Sequence, residues 1–554
     1  MNDWELERRR VAEPIVTKLK FSKDKHGNIT GRYQGYEVRP CNKGKRCRYC
    51  QGEFDLSSFV GKKGPERPKV MMLPDEIIPQ DNGSSFRIAH KHKSNGVAAK
   101  EKTLTIAERI GKAFLGQTPE TRVTPVSVVT LGGMPFIGGS CTAYWNRDTD
   151  TILVVDYGRK VTTQDPEEKA KSRAEISRTE VPDESFLAHH KEKIRGILIT
   201  HLHLDHCGAL PYLPEELKDI PVFTTPLAAL TIKSLCMAAE LPEPEDMRVF
   251  APGDEIEGIE GFEVISFPLI HSTPETVGFD MRPGNRRILH FGDFNMAGKN
   301  SQERERQKKL FRRLVGKGTI DLLAFDAIGA AKEGERPYGE EVFKSMEQII
   351  VNAPGRVVVA IFASNTDCIQ GTMEIAAKYG RRATPLGVAM KTSWENASQL
   401  GYIRPIISVN EVELGHLLDS SKEITFVTGG QGEPGAQLTR SAFGQERADL
   451  RLRPDDTIVF CQDPIPGNEA NVARLVERLC DNSYRVITNW QDGYITHVSG
   501  HCYQGDLDEF LEPFSRHTRL FYPQHMSPVS WRVVESRYRD YNLITPRLGD
   551  HTQI

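Results

Sequence analysis

The stretch LITHLHLDHCGALPYL, residues 198–213, decides the reading of this chain. It sets three histidines and an aspartate within six residues: His201, His203, Asp205 and His206. An apolar run, IRGILIT at 194–200, leads straight into the cluster, and a glycine-containing turn follows. Side chains two apart on an extended segment point to the same side, so His201 and His203 can share one metal ion. Asp205 and His206, a turn further on, can face a second metal close by. Mixed imidazole and carboxylate donors suit Zn²⁺ or Mn²⁺. A lone histidine is more often a surface residue or a satisfied core residue. Crowding of this kind directly after a strand is hard to explain that way.

Two coordination spheres need more ligands. His271 in PLIHS, Asp293 in HFGDF and His525 in LFYPQHMSP end later apolar runs, where side chains are presented at an edge. Asp293 is the natural bridging carboxylate. Each of the three, taken alone, is as readily a turn residue or a cap. Together with the cluster they assign His201, His203 and His271 to one metal, Asp205, His206 and His525 to the other, and Asp293 to both.

The rest of the chain is compatible with such a centre. Its 554 residues exceed one compact core. Hydrophobic content of 38% and charged content of 27% describe an ordinary globular protein. A net charge of −3 gives no general attraction to nucleic acid or membrane, so a polyanion must meet a local basic surface. Ten cysteines, mostly dispersed, fit a reducing compartment better than a disulfide framework. The start MNDWELERRR lacks the apolar stretch of a secretory signal, and no run reaches membrane-spanning length. A cytoplasmic protein with no membrane contact is expected.

Residues 1–120 are polar, basic and broken by Gly and Pro. Strand-like runs follow at 126–133, 151–158, 194–200, 262–272, 286–294 and 321–329. From about residue 336 amphipathic helices alternate with buried strands, as in GRVVVAIFASN, TMEIAAKYGRR and EITFVTGGQGEP. RVITNW and YITHVSGH return to the first texture. The expected architecture is one α/β domain with another inserted: an extension over 1–120, a core over 121–335, an insertion over 336–486 and a closing part over 487–554.

HLHLDH followed by His271 and Asp293 resembles the metallo-β-lactamase superfamily, and Asp156 in TILVVDYG matches its first motif, an acid that orients the ligands. Asp326 in LLAFDAIG, His501 in THVSGH and His525 match the three motifs of the β-CASP nucleases. The runs VVVAIFASNTDCIQ, FVTGGQGEPGAQLTR, DTIVFCQDPIPGNEA and THVSGHCYQGDL are similar to ribonuclease J. This resemblance implies an αββα sandwich carrying an inserted β-CASP domain. It also implies a ribonuclease with two divalent metal ions, Zn²⁺ or Mn²⁺, acting on single-stranded RNA. The expected activity is 5′-to-3′ exonuclease with possible endonuclease cutting, in RNA processing or decay. Two cations would favour hydroxide over water and relieve charge on phosphorus. Asp205 is expected to orient the nucleophile. The resemblance gives His501 to the scissile phosphate or leaving oxygen, and gives Asp326 to holding His501. His497, Val498, Ser499, Gly500 and His501 offer amides, a hydroxyl and imidazoles at one turn, a phosphate cradle in that family. The likeness ends soon after His525, so the family's C-terminal dimerisation domain is expected to be missing and the oligomeric state is left open. Met526 and Ser527 stand where the family has Gly-Glu, and Gly430 where it has Ser.

Other features have competing readings. Cys41, Cys47 and Cys50 are spaced like half of a structural zinc site, with His90 or His92 as a fourth ligand, or are free thiols. RERQKKLFRRLVGKG at 304–318 lines an RNA path or is a solvated helix face. Gly467 in PIPGNE supplies a further phosphate amide or a tight turn. VTGGQGEP lacks the Lys-Ser/Thr pair of a nucleotide loop. Cys207 reads as a packing residue. The rivals are a single-stranded DNA nuclease, disfavoured by His525, and an inactive RNA-binding scaffold, disfavoured by the complete ligand set.

Overall fold

The computed structural model describes residues 123–554 except 134–137, 161–180, 183, 405–421, 434, 446–447 and 466, together with four strands nearer the N-terminus. The chain divides into two units, Met1–Val123 and Thr124–Ile554. In the first, β1 (Lys20–Lys23), β2 (Ile29–Tyr33), β3 (Tyr36–Pro40) and β4 (Met71–Leu73) form a sheet in chain order. Cys41, Cys47, Cys50, His90 and His92 lie outside the described residues.

The second unit is built on three sheets. β5 (Val126–Thr130), β6 (Thr142–Asn146), β7 (Thr151–Val155), β8 (Ile194–Leu198), β9 (Val222–Thr224) and β10 (Met247–Val249) make the first. β11 (Glu255–Ile256), β12 (Glu263–Pro268), β13 (Val277–Arg282), β14 (Ile288–His290) and β15 (Ile320–Asp326) make the second. β16 (Val357–Ala360), β17 (Arg382–Leu386), β18 (Glu423–Val427), β19 (Thr457–Phe460) and β20 (Arg485–Ile487) form a separate, wholly parallel sheet. β21 (Thr518–Gln524) then returns to pair with β15, and β22 (His551–Gln553) pairs with β5.

The period of two along each strand sorts its side chains between two faces. In β7, Leu153 and Val155 join an apolar cluster with Phe279, Met281, Leu322 and Ala324 of the second sheet. Ile152 and Val154 face the other way, into a cluster with Leu227 and Ile232 of the helix Pro226–Ala239. In β15, Leu323 and Phe325 pack with Phe311 of the helix Ser301–Val315 and Phe510 of the helix Gln504–Phe514. Two sheets therefore pack face to face with helices outside both, which is the αββα sandwich. Burial on both faces explains why these strands read as unbroken apolar runs.

The parallel sheet follows the same logic. Val357 and Val359 face one cluster, Val358 and Ala360 another. RVITNW departs from the sequence reading: β20 pairs with β19 and completes this sheet instead of returning to the core. A three-residue strand with two buried residues has the same β-branched texture in either sheet, so composition could not place it.

Candidate metal centre

Five chain segments deliver the site from strand ends. β8 leads into His201, the segment after β12 carries His271, and β14 leads into Asp293. β15 ends on Asp326, and β21 stops one residue before His525. β14, β15 and β21 run parallel, with Leu289 beside Leu323 and Ala324 beside Tyr522. Asp293, Asp326 and His525 therefore reach the same edge of one sheet. The one-turn helix Leu204–Cys207 brings Asp205 and His206 in from the other sheet. Gly158 makes that approach possible, because a Cβ there would lie 1.7 Å from the Asp205 carbonyl oxygen.

The cluster predicted from sequence assembles as two ligand groups. His201, His203, His271 and Asp293 form one; Asp205, His206, Asp293 and His525 form the other. Ligand atoms within each lie within 4.8 Å of one another, and Asp293 belongs to both. His203 and Asp205 are half-buried and the rest are buried. His203 Nδ1 lies 3.1 Å from His271 Nε2, and His525 Nε2 lies 3.0 Å from Asp205.

Bonds behind the ligands fix which nitrogen faces inward. His206 Nδ1 donates to Asp156 at 2.7 Å, and His271 Nδ1 donates to the Gly500 carbonyl at 2.9 Å. The Thr200 hydroxyl donates to Asp156 at 2.9 Å and lies 3.0 Å from His201 Nδ1. The Nε2 atoms of His201 and His206 are buried with no hydrogen-bond partner among the described residues. They lie 3.7 and 3.3 Å from Asp293, and buried nitrogens so placed beside a carboxylate are the arrangement a shared cation completes. The donor set thus fits divalent cations. Asp156 and His525 hold φ values of 63° and 53°. Such left-handed backbone is uncommon for residues other than glycine and clusters at functional sites.

The electrostatics differ between the two groups. Burial, with neighbouring imidazoles, pushes His201 and His271 well below the usual histidine range, and burial brings His203 down to about 4. All three are neutral at neutral pH, the state that ligates. Burial pulls His206 and His525 down too, but the Asp293 charge and further carboxylate contacts outweigh it and raise both. Burial pushes Asp293 up, yet His206, His525 and His501 hold it well below the carboxylate range.

Beside the ligands, His501 Nδ1 donates to Asp326 at 2.7 Å, the pairing that the resemblance implied. In the turn 497–501, the His497 amide donates to Asn489 at 3.1 Å and the His501 amide to the Ser499 hydroxyl at 3.2 Å. The Gly500 carbonyl accepts from His271 and, at 3.1 Å, from Asn295. Among the described residues the Val498, Ser499 and Gly500 amides have no acceptor. A Cβ on Gly500 would lie 2.5 Å from the His271 ring, so this turn admits only glycine there.

Gly467 does not join this turn as a free donor. Its amide donates to Glu469 at 2.7 Å within its own turn, where φ is 96°. The basic run 304–318 lies mostly on the helix Ser301–Val315, where Arg304 pairs with Glu509 and Glu335, and Lys308 with Glu509. Cys207 is a buried packing residue. Ser527 caps the helix Pro528–Arg537, and a Cβ on Gly430 would meet Gln462 at 2.1 Å. Sequence reasoning passed over Thr200, Asn295, Asn489 and Arg336. Thr200, the one polar residue closing an apolar run, was the available signal.

Comparison with known proteins gives the family. The family model "Ribonuclease J, beta-CASP domain" matches residues 354–479, and "Beta-lactamase superfamily domain" matches 174–321. Ribonuclease J of Thermus thermophilus is 30% identical over 405 residues, covering 72% of this chain and 68% of that protein. Ribonuclease J of Mycolicibacterium smegmatis is 30% identical, covering 71% and 68%. A solved structure of a protein of unknown function from Enterococcus faecalis shares the fold, with a TM-score of 0.56 and 16% identity over 78% of this chain and 100% of that one. Fold, ligand chemistry and matches define a class, the metal-dependent ribonucleases with a metallo-β-lactamase core and a β-CASP domain. Within it, the chain belongs to the ribonuclease J family.

Proposed function

We propose that this chain hydrolyses single-stranded RNA with two divalent cations, Zn²⁺ or Mn²⁺, trimming from a 5′-monophosphate end and cutting internally as a secondary activity. The carrying observation is the pair of ligand groups that share Asp293. When bound, the cations supply the Lewis acidity that favours hydroxide over water and offsets charge on phosphorus. His201, His203 and His271 would hold one; Asp205, His206 and His525 the other; Asp293 both.

The chain's own groups then divide the work. Asp205, the more open carboxylate with 18% of its side chain exposed, orients the attacking oxygen. His501 meets the scissile phosphate and passes a proton from Nε2 to the leaving oxygen, while Asp326 holds Nδ1. The free amides of residues 498–500, with the Ser499 hydroxyl and His497, receive the 5′ phosphate. Among the described residues no helix is long and apolar enough to cross a membrane. The described cysteines are free, which favours a reducing, cytoplasmic setting.

The test pairs metal analysis with cleavage of single-stranded RNA bearing a 5′ monophosphate and a 3′ label, with His203→Ala alongside. Mononucleotide release from the 5′ end, lost in the variant, is expected. Bound metal with cleavage of DNA but not RNA would overturn the substrate assignment. Absence of both metal and cleavage would leave an RNA-binding scaffold.

A further inference from the structure

Arg336 stands where the chain leaves the sandwich for the helix Glu340–Asn352, and it is buried, with 8% of its surface exposed. Its guanidinium bonds only backbone carbonyls: Nε donates to Ser499, and Nη1 to Gly298 at 3.1 Å and to Pro337 at 2.9 Å. It forms no ion pair among the described residues, and its Nη2 has no acceptor there. Asp506, which accepts from the Arg336 backbone amide at 2.8 Å, supplies a nearby counter-charge without pairing with the guanidinium, so the carbonyls carry its hydrogen bonds. Burial brings its pKa to about 10, so it stays charged at neutral pH.

The bond to Ser499 has a geometric consequence. A trans peptide directs its C=O and N–H to opposite sides. Drawing the Ser499 oxygen toward Arg336 turns the amide of Gly500 the other way, and that amide is one of those without an acceptor. The same clamp reaches the ligand loop. Gly298 receives Arg336 and donates to Asn295 at 2.8 Å, and Asn295 holds the Gly500 carbonyl.

We propose that Arg336 is a positioning residue for the 5′-terminal phosphate of RNA: it turns the Ser499–Gly500 peptide so that the Gly500 amide faces that phosphate. The inference rests on the phosphate-cradle reading and adds the residue that sets the cradle's shape. A lysine in its place keeps the charge but cannot span carbonyls on three segments.

The experiment measures kcat and KM for RNA of one sequence carrying a 5′ monophosphate or a 5′ hydroxyl. Wild type, Arg336→Met and Arg336→Lys are compared, with metal content and Tm for each. Wild type prefers the monophosphate. In Arg336→Met that preference shrinks roughly tenfold or more, chiefly through KM, with bound metal retained, as expected when the misaligned Gly500 amide loses its hydrogen bond to a charged phosphate. Arg336→Lys falls between. Full preference in Arg336→Met overturns the proposal, as does an equal loss on both substrates accompanied by metal loss. If Arg336→Met does not fold, undiminished preference in Arg336→Lys overturns it. If wild type itself shows no preference, the cradle reading fails first and this inference falls with it.

Discussion

Asp156 reaches the metal centre only through other residues, yet it sets the direction of two imidazoles. It accepts from His206 directly, and Thr200 relays its carboxylate to His201. Replacing such an orienting acid typically weakens metal binding about 10–100-fold. Asp156→Asn should do the same when the metal-free protein is titrated with Zn²⁺ against a competing chelator; unchanged affinity would deny the orienting role. His290 lies behind the ligands, between the Tyr144 hydroxyl at 2.8 Å and the Gln524 amide at 3.0 Å. Burial, with the His206 charge, pushes it down to about 3. The unfolded chain takes that proton near the ordinary value of about 6.5, while the folded chain refuses it until much lower pH. Stability present above pH 6.5 is therefore lost as pH falls toward 3, by roughly 2 kcal/mol at pH 5. Thermal unfolding of metal-free wild type and His290→Gln at pH 7 and pH 5 should show a shallower loss in the variant. The ligands were legible because metal chemistry crowds rare residue types into fixed spacings. Thr200, Asn295 and Arg336 were not, because common polar residues acquire their roles only from partners distant in sequence.

Strands carry the next level of order. Arg356, just before β16, makes a buried two-pronged bond to Asp456, just before β19, at 3.0 and 2.6 Å. The pair fastens the starts of two adjacent parallel strands. Removing one partner of a buried pair strands the other charge and costs about 3–5 kcal/mol. Asp456→Ala should lose that much in denaturant titration; a loss under about 1 kcal/mol, the worth of an exposed pair, would show that water reaches Arg356. Apolar runs revealed most of the long strands in the sequence. Pairing partners were not written there. β20 and a core strand share one texture, and β10 and β11 are too short or too polar to announce themselves.

At the scale of the whole described unit, apolar clusters hold the sandwich and the parallel sheet without help from metal. One runs from Leu227 and Ile232 of the sandwich to Met346 and Ile369 of the insertion. Glu275 adds a polar tie, accepting from the Leu227 amide at 2.7 Å and from Tyr402 at 2.8 Å. Chelation should therefore abolish RNA cleavage yet leave the protein folded. The Tm should fall by a few degrees, since a ligand at a thousand times its Kd stabilises by about 4 kcal/mol. Circular dichroism on chelation and on return of Zn²⁺ or Mn²⁺ checks this; outright unfolding would make the metals structural. The insertion was visible as a change of texture, but the contacts joining it to the sandwich depend on three-dimensional neighbours. The pairing of β21 with β15 brings a question of timing. The ribosome makes residues 201–206 long before His525, and the strand that delivers His525 must find a partner synthesised almost two hundred residues earlier. A nascent chain can gather the first ligand group early, but the second stays incomplete until translation has passed His525. The centre therefore acquires its full ligand set only once residue 525 has been made, more than three hundred residues after His201.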